Sequence, residues 1–258
     1  MTTSTASGSR LAGKVAIVTG GGSGFGEAIS KRFSDEGCKV IVADMNPEGG
    51  GRVSQHNKDN MHFVQMNVAK SNDWESCLKQ CIGKWGRVDV VVNNAGTSYP
   101  NKPTAEVTED DFDKVFAVNV KSVYHCSAIV IPTLIKQGNG GSIINIASIG
   151  ATRPRPGLVW YNSSKAAVTN ATKGLAAEYG NKNIRVNSIC PLLSATGLFE
   201  TFVGVPPTEE NFKKFLFNVP LGRLTDPLDI ANYSLFLASE EAKFITGTCL
   251  EIDGGRGI

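Results

Sequence analysis

The sequence has little that would commit it to a polyanion, a membrane or a metal. Its 258 residues carry 26 Lys and Arg against 24 Asp and Glu, for a formal net charge of +2. So even a balance gives no electrostatic reason to expect nucleic acid as a partner. Basic pairs such as Lys213-Lys214 are short and read as solvated faces. No run approaches the roughly 18 uninterrupted apolar residues of a membrane-spanning helix. Residues 1–10 are rich in Ser and Thr and lack an apolar core, so they read as a disordered tail rather than a secretory signal. The final Arg-Gly-Ile matches no lipidation or retention signal, and a cytoplasmic protein without a membrane partner is expected. The three histidines, His56, His62 and His125, have no metal-ligand spacing, and no metal site is expected. The six cysteines form no C-x-x-C pair and read as buried, reduced thiols, with Cys77 and Cys81 on one helix face.

What is present is alternation. Short runs rich in Val and Ile at 15–19, 39–44, 62–67, 88–93, 142–147, 185–189 and 248–252 read as buried strands. Helical stretches fall between them at 24–36, 48–58, 73–85 and 161–179. Further helices begin at Thr108, capped and followed by three acidic residues, and at Asp226-Pro227. Gly37, Gly86 and Gly180 stop helices, and Pro132 is expected to kink the long helix or begin its end. Strands without a polar face, each followed by a helix, predict an α/β fold: one doubly wound Rossmann domain over residues 11–258, with about seven parallel strands and helices on both faces. The Pro- and Phe-rich stretch 191–217 is the largest departure from this regularity.

Gly20, Gly24 and Gly26 fall between the first strand and the first helix, in a T-G-x-x-x-G-x-G spacing distinct from G-x-G-x-x-G. Glycines there let the backbone turn tightly against a pyrophosphate, and the helix N-terminus offers it free N–H groups. A purely structural turn would read the same. Asp44 closes the second strand, where a carboxylate can accept hydrogen bonds from ribose hydroxyls and would repel a 2′-phosphate. Neither Met45 nor Asn46 supplies a compensating cation, so NAD is favoured over NADP. Tyr161 and Lys165 stand at i, i+4 on one helix face. Lowering a tyrosine pKa by about three units takes roughly 4 kcal/mol, and one ammonium about 4 Å away at an effective dielectric near 20 supplies about that much. Lys165 is therefore expected to lower the pKa of Tyr161 for acid–base work, although Y-x-x-x-K alone is common on ordinary helices. Ser148 follows the fifth strand at its ligand-binding end, where its hydroxyl can meet a substrate oxygen.

Taken together, these residues resemble the short-chain dehydrogenase/reductase family. The matching pieces are Thr19-Gly-Gly-Gly-Ser-Gly-Phe-Gly26, Asp44, Asn93-Asn94-Ala95-Gly96, Asn119, Ser148, Tyr161-Asn-Ser-Ser-Lys165 and Ile252-Asp253-Gly254-Gly255, in family order from about Leu11 onward. Pro220-Leu-Gly-Arg223 with Asp229-Ile-Ala231 resembles its simple, single-domain subgroup. The resemblance implies hydride transfer between NAD(H) and a secondary alcohol or ketone. Tyr161 would be the acid/base, Lys165 would lower its pKa and hold a ribose, Ser148 would orient the carbonyl oxygen, and Asn119 would fix a water in a proton relay. Cofactor contacts are implied at Gly20, Ser23, Gly24, Phe25 and Gly26, then at Asp44, Met45, Asn67 and Val68. Further contacts follow at Asn94, Ala95, Gly96, Tyr161, Lys165, Pro191, Leu193 and Thr196. Asn67-Val68 stands where the family often has Asp-Val against adenine, and an amide oxygen can accept the same hydrogen bond. Pro191-Leu192 replaces the usual Pro-Gly and adds a side chain at the nicotinamide end.

The segment 191–217 is expected to act as an apolar lid over the substrate, with Ile149, Arg153, Arg155, Leu158 and Trp160 as further walls. No charge is clearly aimed at an acidic substrate, and a moderately apolar alcohol or ketone, with oxidation as the favoured direction, is the expectation. Small residues such as Ala166, Ala167 and Ala171 follow Tyr161. In the family those helices build an interface, which implies a homotetramer, with a dimer as the alternative. Two other readings stay open: a non-redox enzyme on the same fold, and a protein that binds NAD as a sensor without turnover.

Overall fold

A strand with Val or Ile on both sides has no face for water, and here every such strand is covered twice. The computed structural model describes residues 10–194, 199–206 and 208–258; the expected tail at 1–9 lies outside the described residues. The strands are β1 (Val15–Thr19), β2 (Lys39–Asp44), β3 (Met61–Gln65), β4 (Val90–Asn93), β5 (Gly141–Ile146), β6 (Ile184–Pro191) and β7 (Cys249–Ile252). They form one parallel sheet in the order β3-β2-β1-β4-β5-β6-β7. The helices are α1 (Gly24–Asp35), α2 (Pro47–Ser54), α3 (Ser71–Trp85), α4 (Glu109–Phe116), α5 (Ser122–Gln137), α6 (Val159–Tyr179), α7 (Phe199–Val203), α8 (Glu209–Leu216) and α9 (Pro227–Ala238).

The period-2 alternation of each strand divides the core in two. Ala16, Val18, Val40 and Val92 face α1 and α9, whose Ile29, Phe33, Ile230 and Leu235 pack onto them. Val15, Ile17, Ile41 and Val91 face α3 and α5, meeting Trp74, Cys77, Val130 and Leu134. Five of the six cysteines are buried, four of them in these two layers, and none is paired. Burial pushes the Cys81 and Cys126 thiols up to about 12, so they behave as small hydrophobes.

The three glycines of α2 do not break the helix, and two of them, Gly49 and Gly50, permit close approach of Gly22 and Phe63. Asn46 caps the helix, accepting from the N–H groups of Glu48 and Gly49 at 3.0 and 3.3 Å, and a Cβ on Gly50 would overlap the Phe63 ring of β3. At Pro132, expected to kink the helix or begin its end, α5 continues as far as Gln137. Ala128, whose carbonyl loses its helical partner to the proline, is on the exposed face, so that carbonyl can reach water. The path from α4 to α5 is continuous through a π-helical turn, Ala117–Lys121. Its 29 residues, Glu109–Gln137, have the length and apolarity of a membrane-crossing helix, but Cys126, Val130, Ile131 and Leu134 are packed into the core.

A buried polar chain joins the middle of the sheet to α6. Asn93 donates to Asn145 Oδ1 at 2.8 Å, Asn145 donates to Thr172 Oγ1 at 2.9 Å, and Thr172 donates to the Val168 carbonyl at 2.8 Å. Asn145 is completely buried. Asn145→Ala strands the Asn93 amide without a partner and is expected to cost about 3 kcal/mol. Urea unfolding checks this: a midpoint within error of wild type would show that water substitutes for the network.

Candidate active site

The crossovers after β1 and β4 leave in opposite directions, opening a crevice at the carboxyl ends of the strands. Thr19 and Asn94 stitch this point together. Thr19 Oγ1 donates to the Val92 carbonyl at 3.2 Å and accepts from the N–H groups of Asn94 and Ala95 at 3.0 and 3.1 Å. The Asn94 amide donates back to the Thr19 and Gly20 carbonyls at 2.9 and 3.1 Å. Gly20 and Gly24 have φ of +62° and +53°, the left-handed region that favours glycine. A Cβ on Gly26 would overlap the Gly20 carbonyl oxygen. Gly26 therefore shapes the turn from behind instead of lining the cavity.

The cavity, about 840 Å³, runs continuously from Asp44 and Met45, past Gly20, Ser23, Gly24 and Phe25, to Ser148, Tyr161 and Lys165. Val68, Asn94, Ala95, Gly96, Pro191 and Leu193 also line it. The Asp44 carboxylate accepts from the N–H groups of Gly22 and Asn46 at 2.8 and 2.9 Å. Arg52 of α2 is committed to Glu27 at 2.6 and 2.7 Å and holds that carboxyl down at about 2. It brings no free cation to the ribose end. Ser23 makes no side-chain cap on α1, leaving the first N–H groups of that helix for a phosphate. These residues fit a dinucleotide.

At the other end, Ser148 Oγ accepts from the Gly150 N–H at 3.0 Å and hydrogen-bonds Tyr161. Lys165 Nζ donates to the Ile146 carbonyl at 2.8 Å and lies 5.9 Å from the centre of the Tyr161 ring. Burial pushes the Tyr161 hydroxyl up to about 12, against the pull of Ser148, and pushes the Lys165 amine down to about 8. Lys165, directed at the Ile146 carbonyl, is not among the groups acting on the Tyr161 hydroxyl here, and burial is the largest influence on it. The Asn119 side chain is off the cavity wall. Its Oδ1 accepts from the Thr97 N–H at 2.9 Å, and its Nδ2 donates to the Thr97 carbonyl and to Ser164 Oγ, both at 3.0 Å. Ser164 in turn donates to the Tyr161 carbonyl at 2.6 Å, so Asn119 braces the loop after β4 against α6.

Asn67 is also off the wall, with its Oδ1 accepting from the Ala69 N–H at 3.0 Å in a local turn. Trp160 is off the cavity wall and packs edge-on against Phe112, ring centres 5.3 Å apart. Thr196 lies outside the described residues. Of the lid segment, Leu193, Phe202 and Phe215 line the cavity, whereas Phe217 is 92% exposed. Sequence reading missed Thr97, Lys114, Val118, Asn162 and Arg256 on the wall. Asn162, beside Tyr161, carried a local signal; Arg256, beyond the last strand, carried none.

Lys165 gives the folded protein a pH signature. Its pKa falls from 10.5 to about 8 on burial. Below 8 the amine is charged whether the chain is folded or unfolded, and the folded state bears the full desolvation cost. As pH rises from 8 toward 10.5 the folded amine is neutral while the unfolded one is charged. Stability then climbs by roughly 3 kcal/mol relative to a residue that does not titrate. In the cofactor-free protein, the stability of wild type minus that of Lys165→Met should rise across this window; parallel pH profiles would contradict the assignment.

Comparison with known proteins agrees with this geometry. A family model described as enoyl-(acyl carrier protein) reductase matches residues 20–256. The chain is 45% identical over 248 residues to a 4-formylbenzenesulfonate dehydrogenase of Comamonas testosteroni, covering 95% of this chain and 98% of that one. It is 39% identical over 252 residues to a 2,5-dichloro-2,5-cyclohexadiene-1,4-diol dehydrogenase of Sphingobium indicum, covering 96% and 98%. A crystal structure of 3-ketoacyl-(acyl-carrier-protein) reductase from Brucella melitensis, complexed with NADH, matches with a TM-score of 0.90 at 39% identity, over 96% of this chain and 100% of that one. Likeness that runs from the glycine turn to the segment after β7, at this identity, leaves one conclusion: the chain belongs to the short-chain dehydrogenase/reductase family.

Proposed function

We propose that this protein, an oxidoreductase by family, transfers a hydride between NAD(H) and a secondary alcohol or its ketone, with Tyr161 carrying the proton. The observation that carries the reading is the single continuous cavity. It joins a ribose-selective carboxylate, Asp44, and the glycine turn to Ser148, Tyr161 and Lys165. Bound NAD(H) supplies or accepts the hydride and, when oxidised, a positive ring. The chain's own residues do the rest. Ser148 and Tyr161, already hydrogen-bonded to each other, present two hydroxyls to one substrate oxygen. Tyr161 gives up its proton in reduction and takes one in oxidation. Lys165 is the cation on the same helix face, and Asn119, through Thr97 and Ser164, is a positioning residue for both. Gly96 keeps this junction open: a Cβ there would sit 3.3 Å from Lys165 Nζ and 3.4 Å from Asn119 Oδ1.

Phe202, Phe215 and Leu158 give the substrate end an apolar wall, which supports the segment 191–217 as a water-excluding lid. It also supports a ring-bearing substrate, as do the names of two relatives, a 4-formylbenzenesulfonate dehydrogenase and a 2,5-dichloro-2,5-cyclohexadiene-1,4-diol dehydrogenase. Exposed Tyr124 and Ile135 on α5 and Val159 and Trp160 on α6 support assembly through these helices into a homotetramer. Sedimentation reads the mass, and a monomer would exclude the assembly.

Two variants test the mechanism. Tyr161→Phe should retain NADH binding and lose at least about a hundredfold in turnover, the lower end of typical acid–base contributions; near-normal turnover would remove Tyr161 from the chemistry. Asp44→Ala should weaken NADH by about tenfold or more, the scale of a hydrogen bond to a charged group, with much less effect on NADPH. Equal losses would remove the ribose contact.

A further inference from the structure

The substrate end of the cavity carries a concentration of positive charge that hydride transfer does not use. Arg153 and Arg155 follow the turn after Ser148, and Arg256 reaches the same wall from beyond β7. The segment after β7 packs here, since a Cβ on Gly257 would sit 3.4 Å from Ile149 Cδ1. Arg153 holds it down, donating through Nη1 to the carbonyls of Arg256 and Ile258. Arg155 is fixed at its backbone by the Asn162 amide, which donates to its carbonyl at 2.9 Å. Its guanidinium lies over the Phe215 ring, 5.3 Å from the centre.

Arg153 is spent on main-chain oxygens of Arg256 and Ile258, but the guanidinium groups of Arg155 and Arg256 make no hydrogen bond to a carboxylate among the described residues. None is in a salt bridge among the described residues. Arg256 Nη1 is buried without a hydrogen-bond partner. The two carboxylates nearby in sequence are engaged by other donors. Asp253 attracts Arg256 through space, but its oxygens accept from the N–H groups of Gly255 and Gly257 at 2.9 and 2.6 Å. Glu251 accepts from Thr152 Oγ1 at 2.7 Å. Asp44, at the opposite end, is the only carboxylate among the described lining residues. Burial is the larger influence on both, and on top of it Arg256 depresses the charged form of Arg155 while Arg153 depresses that of Arg256. A buried guanidinium donor left unpaired is costly, and a planar, bidentate oxyanion is the group that fits it. The phosphates of a dinucleotide are held elsewhere, at β1. Arg155 follows β5, two strands further along the sheet and about 10 Å away.

We infer that the protein acts on an anionic substrate, an alcohol or carbonyl compound bearing a carboxylate or sulfonate, and that Arg155 and Arg256 bind that group at the end of the cavity remote from the glycine turn. Arg153 is a positioning residue for Arg256, and Phe215 backs the guanidinium of Arg155. The inference deepens the proposed function and rests on it, because it takes the reacting carbon to lie beside Tyr161.

The test uses the full chain loaded with NADH, so that no positive nicotinamide contributes to anion binding. Calorimetric titration compares benzenesulfonate with benzenesulfonamide, and benzoate with benzamide, each pair alike in shape and different in charge. At least one anion should bind about tenfold or more tightly than its amide, the increment of one charge-assisted hydrogen bond, and which pair discriminates identifies the oxyanion. Arg155→Gln and Arg256→Gln should each abolish that preference while NADH affinity stays at the wild-type value, which also reports that the variants are folded. Equal affinity of anion and amide, no binding of either, or a preference that survives both substitutions would overturn the inference. Failure of wild type to bind NADH would instead strike the proposed function, and the same anion titrations on the cofactor-free protein would then decide the arginine site alone.

Discussion

The structure depends most on the stitch between Thr19 and Asn94. Parallel strands meet side by side through their ladder, but nothing in a ladder fixes how their ends diverge once the ladder stops. Here one hydroxyl and one carboxamide hold the ends of β1 and β4 in register for two residues beyond the pairing. That register sets the carbonyls over which Gly26 must pass, and so the need for glycine there. It also aims the loop that carries Gly96 toward Lys165. The polar chain from Asn93 through Asn145 to Thr172 does the same one layer deeper, tying that junction to the helix bearing Tyr161. The glycine turn and the acid–base residues are thus two ends of one hydrogen-bonded frame.

Burial sets the resting state of the acid–base pair. An apolar surrounding disfavours both the phenolate and the ammonium, and the structure shows both effects, with Tyr161 pushed up to about 12 and Lys165 down to about 8. The free protein therefore holds its proton on the tyrosine. Reduction needs a donor in that state. Oxidation needs the phenolate, and the groups available to favour it are the Ser148 hydrogen bond, the Lys165 amine and whatever positive charge enters the cavity with a ligand.

Much of this was legible in the sequence, for physical reasons. Fully apolar strands have one environment available, so β1, β2, β4 and β5 could be read to within two residues. Tyr161 and Lys165 are related by helix geometry alone, and the glycines by a backbone that tolerates no Cβ. What stayed hidden depends on contacts between distant segments. Asn119 has the sequence neighbourhood of a helix surface, but a π-helical turn and the loop after β4 bury it to 2% exposure. Pro132 reads as a break, but its place on the exposed face of α5 makes it harmless. Trp160 reads as a wall and packs instead on Phe112, because helix phase, not proximity to Tyr161, decides which way it faces. Arg256 had no local pattern; its position follows from β7 pairing with β6 at the sheet edge and from the fold of the chain back onto Ile149.

The same reasoning explains why the charges of the cavity are arranged as they are. Burial makes each charge in the cavity expensive, so each must find compensation within reach. Asp44 has two backbone N–H groups, and Lys165 has the Ile146 carbonyl. Arg155 has an aromatic face, which compensates a cation only in part. Arg256 has a buried nitrogen with nothing opposite it. Two backbone donors answer Asp44, one carbonyl answers Lys165 only in part, since burial still pushes its amine down to about 8, and at the far wall a buried guanidinium nitrogen has no hydrogen-bond partner at all. The cavity is therefore polar along its length, with a carboxylate at one end and guanidinium groups at the other, and that asymmetry orients a dinucleotide and an anionic substrate head to tail around Tyr161.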